Sequence, residues 1–286
     1  LSHRVPLPIY RYLRNMSKSA SYHAKLIVGG RSYEGRQILG LRIKTPTKKL
    51  KPVMFIESGI HAREWITPAT TTYFINQLLT SKDPDIMALR DQFDWHIFPT
   101  VNPDGYHYSF TVDRMWRKTR SRSSNGCYGA DPNRNWDYNW MNYSSSSNPC
   151  DYQVYAGSRP FSEVETRSLA QYVQGLENLL GYVAFHSYAQ TLLLPYSDST
   201  HHVDNYDDLV SIPRSAIGVY IFTFFHKASG GSMDWVRYAV GPRLVYTYEL
   251  RGAYFYWPPN RIHEQGDEVT QMMLGLATEA RNLGYF

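Results

Sequence analysis

"VMFIESGIHAREW", residues 53–65, is the stretch on which the reading of the fold turns. It opens with an apolar run suited to a short buried strand. The next segment, "PATTTYFINQLLTS" (68–81), places Tyr73, Phe74, Leu78 and Leu79 at helical spacing. A strand that leads into a helix is the building unit of an α/β sheet. Between the two lie His61, Arg63 and Glu64, groups that are costly to bury without partners. They form either a solvated loop or a metal site.

Working outward, "KLIVGG" (25–30) and "ILGLRIK" (38–44) predict strands around the turn "RSYEGR", and "DWHIFPTVNPDG" (94–105) predicts a strand ended by a Pro/Asp/Gly turn. Residues 106–160 are rich in Asn, Ser, Gly, Arg and aromatics without a clear period. So long an irregular stretch inside a compact domain is expected to be functional, with "SSSS" (144–147) as an exposed tip. "SEVETRSLAQYVQGL" (162–176) predicts a helix opened by a capping box of Ser162 and Glu165. "YVAFHSYAQTLLLPY" reads as a buried strand, a polar break and a second apolar run. "RLVYTYELRG" (243–252) predicts another strand and "EVTQMMLGLATEARNL" (268–283) a final helix. With no internal repeat and no linker, the expectation is one α/β domain over residues 1–286, helices covering a mixed sheet.

Composition narrows the classes. Of 286 residues, 43 % are apolar and 19 % charged, which argues against global disorder. The 24 tyrosines suit clefts and recognition surfaces as well as cores. The longest apolar run, "AIGVYIFTFF" (216–225), is too short for a membrane span, and the opening residues carry Arg and Pro where a signal peptide needs an apolar stretch. The net charge is +5. Of two basic stretches, "KTPTKKLK" (44–51) reads as a solvated turn, whereas "RMWRKTRSR" (114–122) interleaves Trp116 and leaves nucleic acid open. Cys127 and Cys150 are either one disulfide or two inert thiols. With the sequons at Asn15 and Asn142, they lean towards an extracellular protein.

The candidate chemistry centres on zinc. Catalytic zinc sites commonly combine two His, one carboxylate and an open position. No HExxH or HxxEH is present, so His61-x-x-Glu64 stands alone, a spacing that loops also show by chance. His186 ends the buried run "GYVAF" and is either a satisfied core histidine or a third ligand at a strand end, where open α/β sheets bind ligands. Glu249, on the face of its strand that carries Val245 and Thr247, either pairs with Arg251 or serves as a general base.

"GIHAREWITPAT", "NPDGY", "RMWRKTRS", "DPNRNW", "SEVET", "HSYAQ", "ASGGSMDW" and "YTYELRG" together resemble the metallocarboxypeptidases of the pancreatic A/B type, in register over roughly residues 22–280. The resemblance implies a single α/β domain with a mostly eight-stranded mixed sheet, secreted as a zymogen with an N-terminal propeptide. Residues 1–286 would be the catalytic domain, without propeptide or signal peptide. It implies one Zn2+ held by His61, Glu64 and His186, with Asp131 orienting the first histidine and Glu249 as general base. Arg117 would polarise the scissile carbonyl, which accounts for the basic stretch without nucleic acid. Asn133 and Arg134 would clamp the substrate's terminal carboxylate, and Arg63 and Tyr188 would line outer subsites. Cys127 and Cys150 match the family's disulfide.

Two departures stand out. His226 occupies the position of the family's tyrosine that caps the bound terminus, and the stretches between His186 and Ala228 and after Glu249 are shortened. Ile221, Ala228, Met233 and Thr247, with Ser197 as a polar exception, imply an apolar pocket for an aromatic or aliphatic C-terminal side chain. Asp198 and Asp234 lie near in sequence, with direction open. The expected activity is release of C-terminal residues from peptides by a monomer that meets its own propeptide and proteinaceous inhibitors but neither nucleic acid nor membrane. The rivals are a catalytically silent peptide binder and a relative acting on small N-acyl amino acids. The first should lack a ligand or the base, and the second should lack Arg117, Asn133 and Arg134; all are present.

Overall fold

The computed structural model describes residues 8–217, 220–222 and 227–286, with the backbone alone for 213–217 and 220–222. In chain order the strands are β1 (Ala24–Arg31), β2 (Gln37–Ile43), β3 (Val53–Ser58), β4 (Asp94–Phe98), β5 (Leu179–Ser187), β6 (Thr191–Leu193), β7 (Tyr220–Phe222) and β8 (Leu244–Leu250). The helices are α1 (Pro8–Ser19), α2 (Ile66–Thr80), α3 (Pro84–Gln92), α4 (Pro103–Thr111), α5 (Val164–Gln174), α6 (Tyr206–Ile217), α7 (Ser232–Ala239) and α8 (Ile262–Asn282).

The strands form one eight-stranded mixed sheet in the order β1-β2-β4-β3-β5-β8-β6-β7. Its centre is parallel: β3 pairs with β4 and with β5, and β5 pairs with β8. Parallel strands are covered on both faces, so they need near-continuous apolar sequence. β3 is buried at every position, and β5 from Leu180 to Ser187. One face carries Met54, Ile56, Val183, Phe185, Tyr246 and Tyr248 and packs against α1, α2, α3, α6 and α8. The other carries Phe55, Tyr182, Ala184 and Val245 and packs against α5, α7 and Trp136. Glu57, His186 and Glu249 share the parity of this second face.

Several local expectations change. The "NPDG" run opens α4 rather than a bare turn: Asn102 Oδ1 accepts from Gly105 N at 2.9 Å, and Pro103 takes the first turn, where its missing N–H costs nothing. The capping box of Ser162 and Glu165 does not form. Ser162 Oγ instead accepts from Asn135 Nδ2 and donates to Glu163, and Glu165 Oε1 accepts from Tyr33 N at 2.9 Å. A long-range partner, Asn135, ties down the helix start instead, its Oδ1 accepting from Glu163 N and from Thr166 Oγ1. Arg251 pairs with Glu268, not with Glu249.

Between α4 and α5 the chain is irregular apart from two isolated bridges, Arg122 to Tyr128 and Ser146 to Tyr155. The Cys127–Cys150 disulfide closes it across 23 residues. Its core-facing groups are tied down by Lys118 Nζ on Asp151 O (2.6 Å) and by Ala62 N on Arg117 O (3.0 Å). The serine run is partly paired, since Ser146 N donates to Val154 O.

Candidate active site

The parallel strands β3, β5 and β8 end side by side, and their C-terminal ends supply the site. The chain leaves β3 through Gly59, at φ +61°, where a Cβ would lie 2.9 Å from Thr100 Oγ1. That turn places His61 and Glu64 before α2 begins. On β5 and β8, His186 and Glu249 are direct neighbours in the parallel register. The positions that alternation assigns to one face are therefore adjacent in space.

His61, Glu64 and His186 converge, one candidate ligand atom from each lying within 4.8 Å of the others. His61 Nδ1 is 2.8 Å from Glu64 Oε1 and 3.2 Å from His186 Nδ1, which in turn is 3.5 Å from Glu64 Oε2. His61 Nε2 faces Asp131 Oδ1 at 3.1 Å. With its proton on Nε2 for that carboxylate, His61 turns a bare Nδ1 lone pair on a carboxylate oxygen and a second imidazole nitrogen. Three acceptors aimed at one point repel unless a cation sits among them, and two nitrogens with one carboxylate match zinc's preferred donors. The residues fit a zinc ion.

All three are nearly inaccessible, at 3 %, 2 % and 2 % exposure. Burial and the nearby Arg117 push the His61 imidazolium down, favouring the neutral ligand form. Burial alone would raise Glu64, but the facing His61 and His186 outweigh it and hold its carboxyl well below the usual range. Asp131 behaves alike, burial being outweighed by Arg117 and His61. Glu249 goes the other way: burial, reinforced by Glu64 against the pull of His186 and Arg117, raises it to about 7. That is the range in which a carboxylate both takes and gives a proton near neutrality.

Around the cluster opens a cavity of about 440 Å3. Arg117, Asn133, Arg134, Tyr188, Ser197, Ala228, Met233, Thr247 and Glu249 all line it. Arg117 is anchored to Asp131 Oδ2 through Nε (3.2 Å) and Nη2 (2.8 Å), with Nη1 3.9 Å from Glu64. Arg134 is oriented by Ser144 O and Asn133 O, and its backbone packs on Gly230 so closely that a Cβ there would lie 2.4 Å from Arg134 O. Asn133 accepts from Ser232 N at 3.0 Å. Arg63 does not line the cavity: it flanks the mouth, 4.0 Å over the Phe255 ring and bonded to Gln153 at 2.8 Å. Ile221 is placed only as backbone, in β7 opposite Leu192, and His226 lies outside the described residues.

Thr191, Leu193, Asp234 and Phe255 also line the cavity, although only Asp234 attracted attention in the sequence. Both Asp234 oxygens accept from Ser197 N at 3.1 Å, Ser197 Oγ donates as well, and burial raises the acid to about 7. Asp198 is held by Asn139 Nδ2 and does not line the cavity. Phe255 lies six positions after Glu249, where its sequence signal was the aromatic cluster "YFYW".

The zinc carboxypeptidase family profile (Peptidase_M14) matches residues 9–272. A zinc carboxypeptidase of Simulium vittatum is 45 % identical over 99 % of this chain and 98 % of its own length. The crystal structure of carboxypeptidase A from Helicoverpa armigera superposes with a TM-score of 0.86 at 30 % identity, covering 96 % of this chain and 73 % of that one. Bovine thrombin-activatable fibrinolysis inhibitor, solved with tick carboxypeptidase inhibitor, gives 0.87 at 31 % identity and 96 % of both chains. The metal-ready cluster, the cleft and these likenesses agree: the chain belongs to the zinc carboxypeptidase family and is a metallocarboxypeptidase.

Proposed function

We propose that this single catalytic domain removes the C-terminal residue of peptides and proteins, preferring aromatic or aliphatic side chains, with one zinc ion held by His61, Glu64 and His186. The observation that carries the reading is the shared cavity: metal-ready cluster, half-buried acid and two arginines open onto one space. When bound, zinc supplies Lewis acidity that lowers the pKa of water and polarises an oxygen. The chain's residues do the rest. Asn133 and Arg134 hold the free terminal carboxylate, a planar task suited to a guanidinium. Arg117, pre-oriented by Asp131, offers its donors to the negative charge that develops on the scissile carbonyl oxygen. Glu249 takes a proton from the attacking water and delivers it to the leaving amine nitrogen. Asp131 keeps His61 in the Nε2–H form. Tyr188, Arg63 and Phe255 flank the path of the preceding residues.

Selectivity rests on Met233, Ala228 and Thr247 around the side-chain pocket. Asp234, next to Met233 in the chain, is the lining acid outside the catalytic cluster among the described residues, and its engagement by Ser197 together with its raised pKa leaves it a poor counter-ion for a basic side chain. Matched peptides ending in Phe, Leu, Lys and Arg test this: kcat/KM should favour Phe and Leu by orders of magnitude, because an unpaired buried cation costs about 3–5 kcal/mol. A preference for Lys or Arg would make Asp234 the specificity residue and refute the apolar reading.

Secretion, synthesis with a propeptide, a monomeric state and inhibition by small proteins complete the proposal. The disulfide and the likeness to a structure held by a tick inhibitor support it. Among the described residues no helix is long and apolar enough to cross a membrane.

A further inference from the structure

Behind the metal cluster, the second sheet face buries a polar group that the chemistry above does not use. Glu57 lies in β3 directly opposite Ala184 of β5 and is wholly inaccessible. Because side chains alternate, Tyr182, Ala184 and His186 project from the same face of β5. The stacking of Tyr182 on Phe55, with centroids 5.3 Å apart, fixes that face as the one carrying Glu57. Glu57 thus looks across a methyl group, with a phenol on one side and an imidazole on the other. Its Oε1 accepts from Ser232 Oγ at 2.6 Å. Three buried atoms around Ala184 find no partner among the described residues: Glu57 Oε2, Tyr182 OH and His186 Nε2. His186 acts on Glu57 through space, while Tyr182 OH comes within interaction range of both Glu57 and Ser232 without the geometry of a formed hydrogen bond.

Buried polar atoms are almost always satisfied, and an internal water typically makes about three hydrogen bonds to groups otherwise unpaired. The contrast with His61, whose second ring nitrogen is held by Asp131, points to a missing counterpart for His186. We propose that Glu57, Tyr182 and His186 bind one structural water over Ala184, which accepts from His186 Nε2–H, donates to Glu57 Oε2 and has Tyr182 OH as its third partner. Glu57 is then a positioning residue. Through the water it holds His186 as the Nε2–H tautomer, so that Nδ1 presents its lone pair to His61 and Glu64. The size of Ala184 is part of the site, since a larger side chain would fill the space.

This rests on reading His61, Glu64 and His186 as the metal site, and the experiment separates the two. In metal-free wild-type protein labelled with 15N-histidine, NMR should show His186 as the Nε2–H tautomer with cross-relaxation to a long-lived water. Glu57→Leu, which removes the acceptor, and Ala184→Val, which fills the space, should abolish both signals. By chelator competition they should weaken zinc binding about 10–100-fold, while Glu57→Gln, which keeps an acceptor, stays within about threefold. Circular dichroism monitors folding, and if neither disruptive variant folds, the wild-type spectrum decides alone. An Nδ1–H tautomer for His186 in metal-free wild type would overturn the proposal. So would unchanged zinc affinity in folded Glu57→Leu and Ala184→Val. A wild-type chain that takes up no zinc would refute the metal reading, whereas the tautomer and water signals are read without metal.

Discussion

Replacing Asp131 by Asn separates what its two oxygens do. Oδ1 accepts from His61 Nε2 at 3.1 Å and from Asn133 N at 2.9 Å, while Oδ2 accepts from Arg117 Nε at 3.2 Å and Nη2 at 2.8 Å. A carboxylate can accept on both sides; an amide has one oxygen and one NH2. If the amide oxygen serves His61, the NH2 confronts two guanidinium donors, and if it flips, the NH2 confronts His61 and Asn133. One side is orphaned in either pose. Losing two hydrogen bonds to a buried charge costs about 3–5 kcal/mol. For a chain of this size, that lowers Tm by about 10 °C. Zinc affinity should fall about 10–100-fold, as for other partners of ligating histidines. Metal-free protein is melted at one scan rate beside wild type, and zinc affinity is measured separately by chelator competition. A melting point within about 2 °C of wild type, with unchanged zinc affinity, would refute the reasoning, since no amide pose satisfies both sides.

Other outcomes follow from the same geometry. Glu249→Gln should retain zinc and peptide binding while kcat falls about 10²–10⁴-fold, and near-normal turnover would assign proton transfer elsewhere. Chelation should abolish hydrolysis and added zinc restore it, with His61→Ala severely impaired in metal uptake; a fully active metal-free preparation would sink the zinc assignment. Glu165, buried and raised to about 8, keeps its proton in the folded state long after the unfolded chain releases it near pH 4.3. The folded state therefore binds more protons between those values, and stability should decline as pH rises from about 4.5 to about 8. Glu165→Gln should flatten that decline; parallel melting curves for wild type and variant from pH 5 to 8 would contradict it.

What the sequence disclosed follows from where physics is local. β3, β5 and β8 were legible because strands covered on both faces must be apolar throughout, so His186 and Glu249 stood out as polar endings. The capping box failed because its residues also satisfied a local rule that Asn135, far away in sequence, overrode. α3 carried a usable signal, Asp83 capping Asp85 N ahead of Pro84, but its short, charged sequence has little periodicity. α1 buries only Ile9, Tyr10 and Leu13, too few to stand out. The side chains brought in by the irregular segment were located through family resemblance alone, since nothing periodic marks a loop pinned by long-range hydrogen bonds. Phe255 escaped because nothing in the aromatic run "YFYW" singles out one ring of the four.

The proposed ligand set has a kinetic corollary. His61 and His186 are 125 positions apart, and Glu249 comes from a third strand still later in the chain. No local hairpin or helical turn can prebuild such a centre; the cluster exists only once β3 has found β5. Pairings of such high contact order form late and slowly, because loop closure must come before the contacts that reward it. Zinc therefore cannot nucleate this fold as it does a zinc finger, whose ligands sit close together in sequence. A nascent chain that has emerged only as far as β5 holds His61, Glu64 and His186 but lacks β8, the strand that carries Glu249 beside His186. Capacity to take up metal should thus precede capacity for hydrolysis during synthesis.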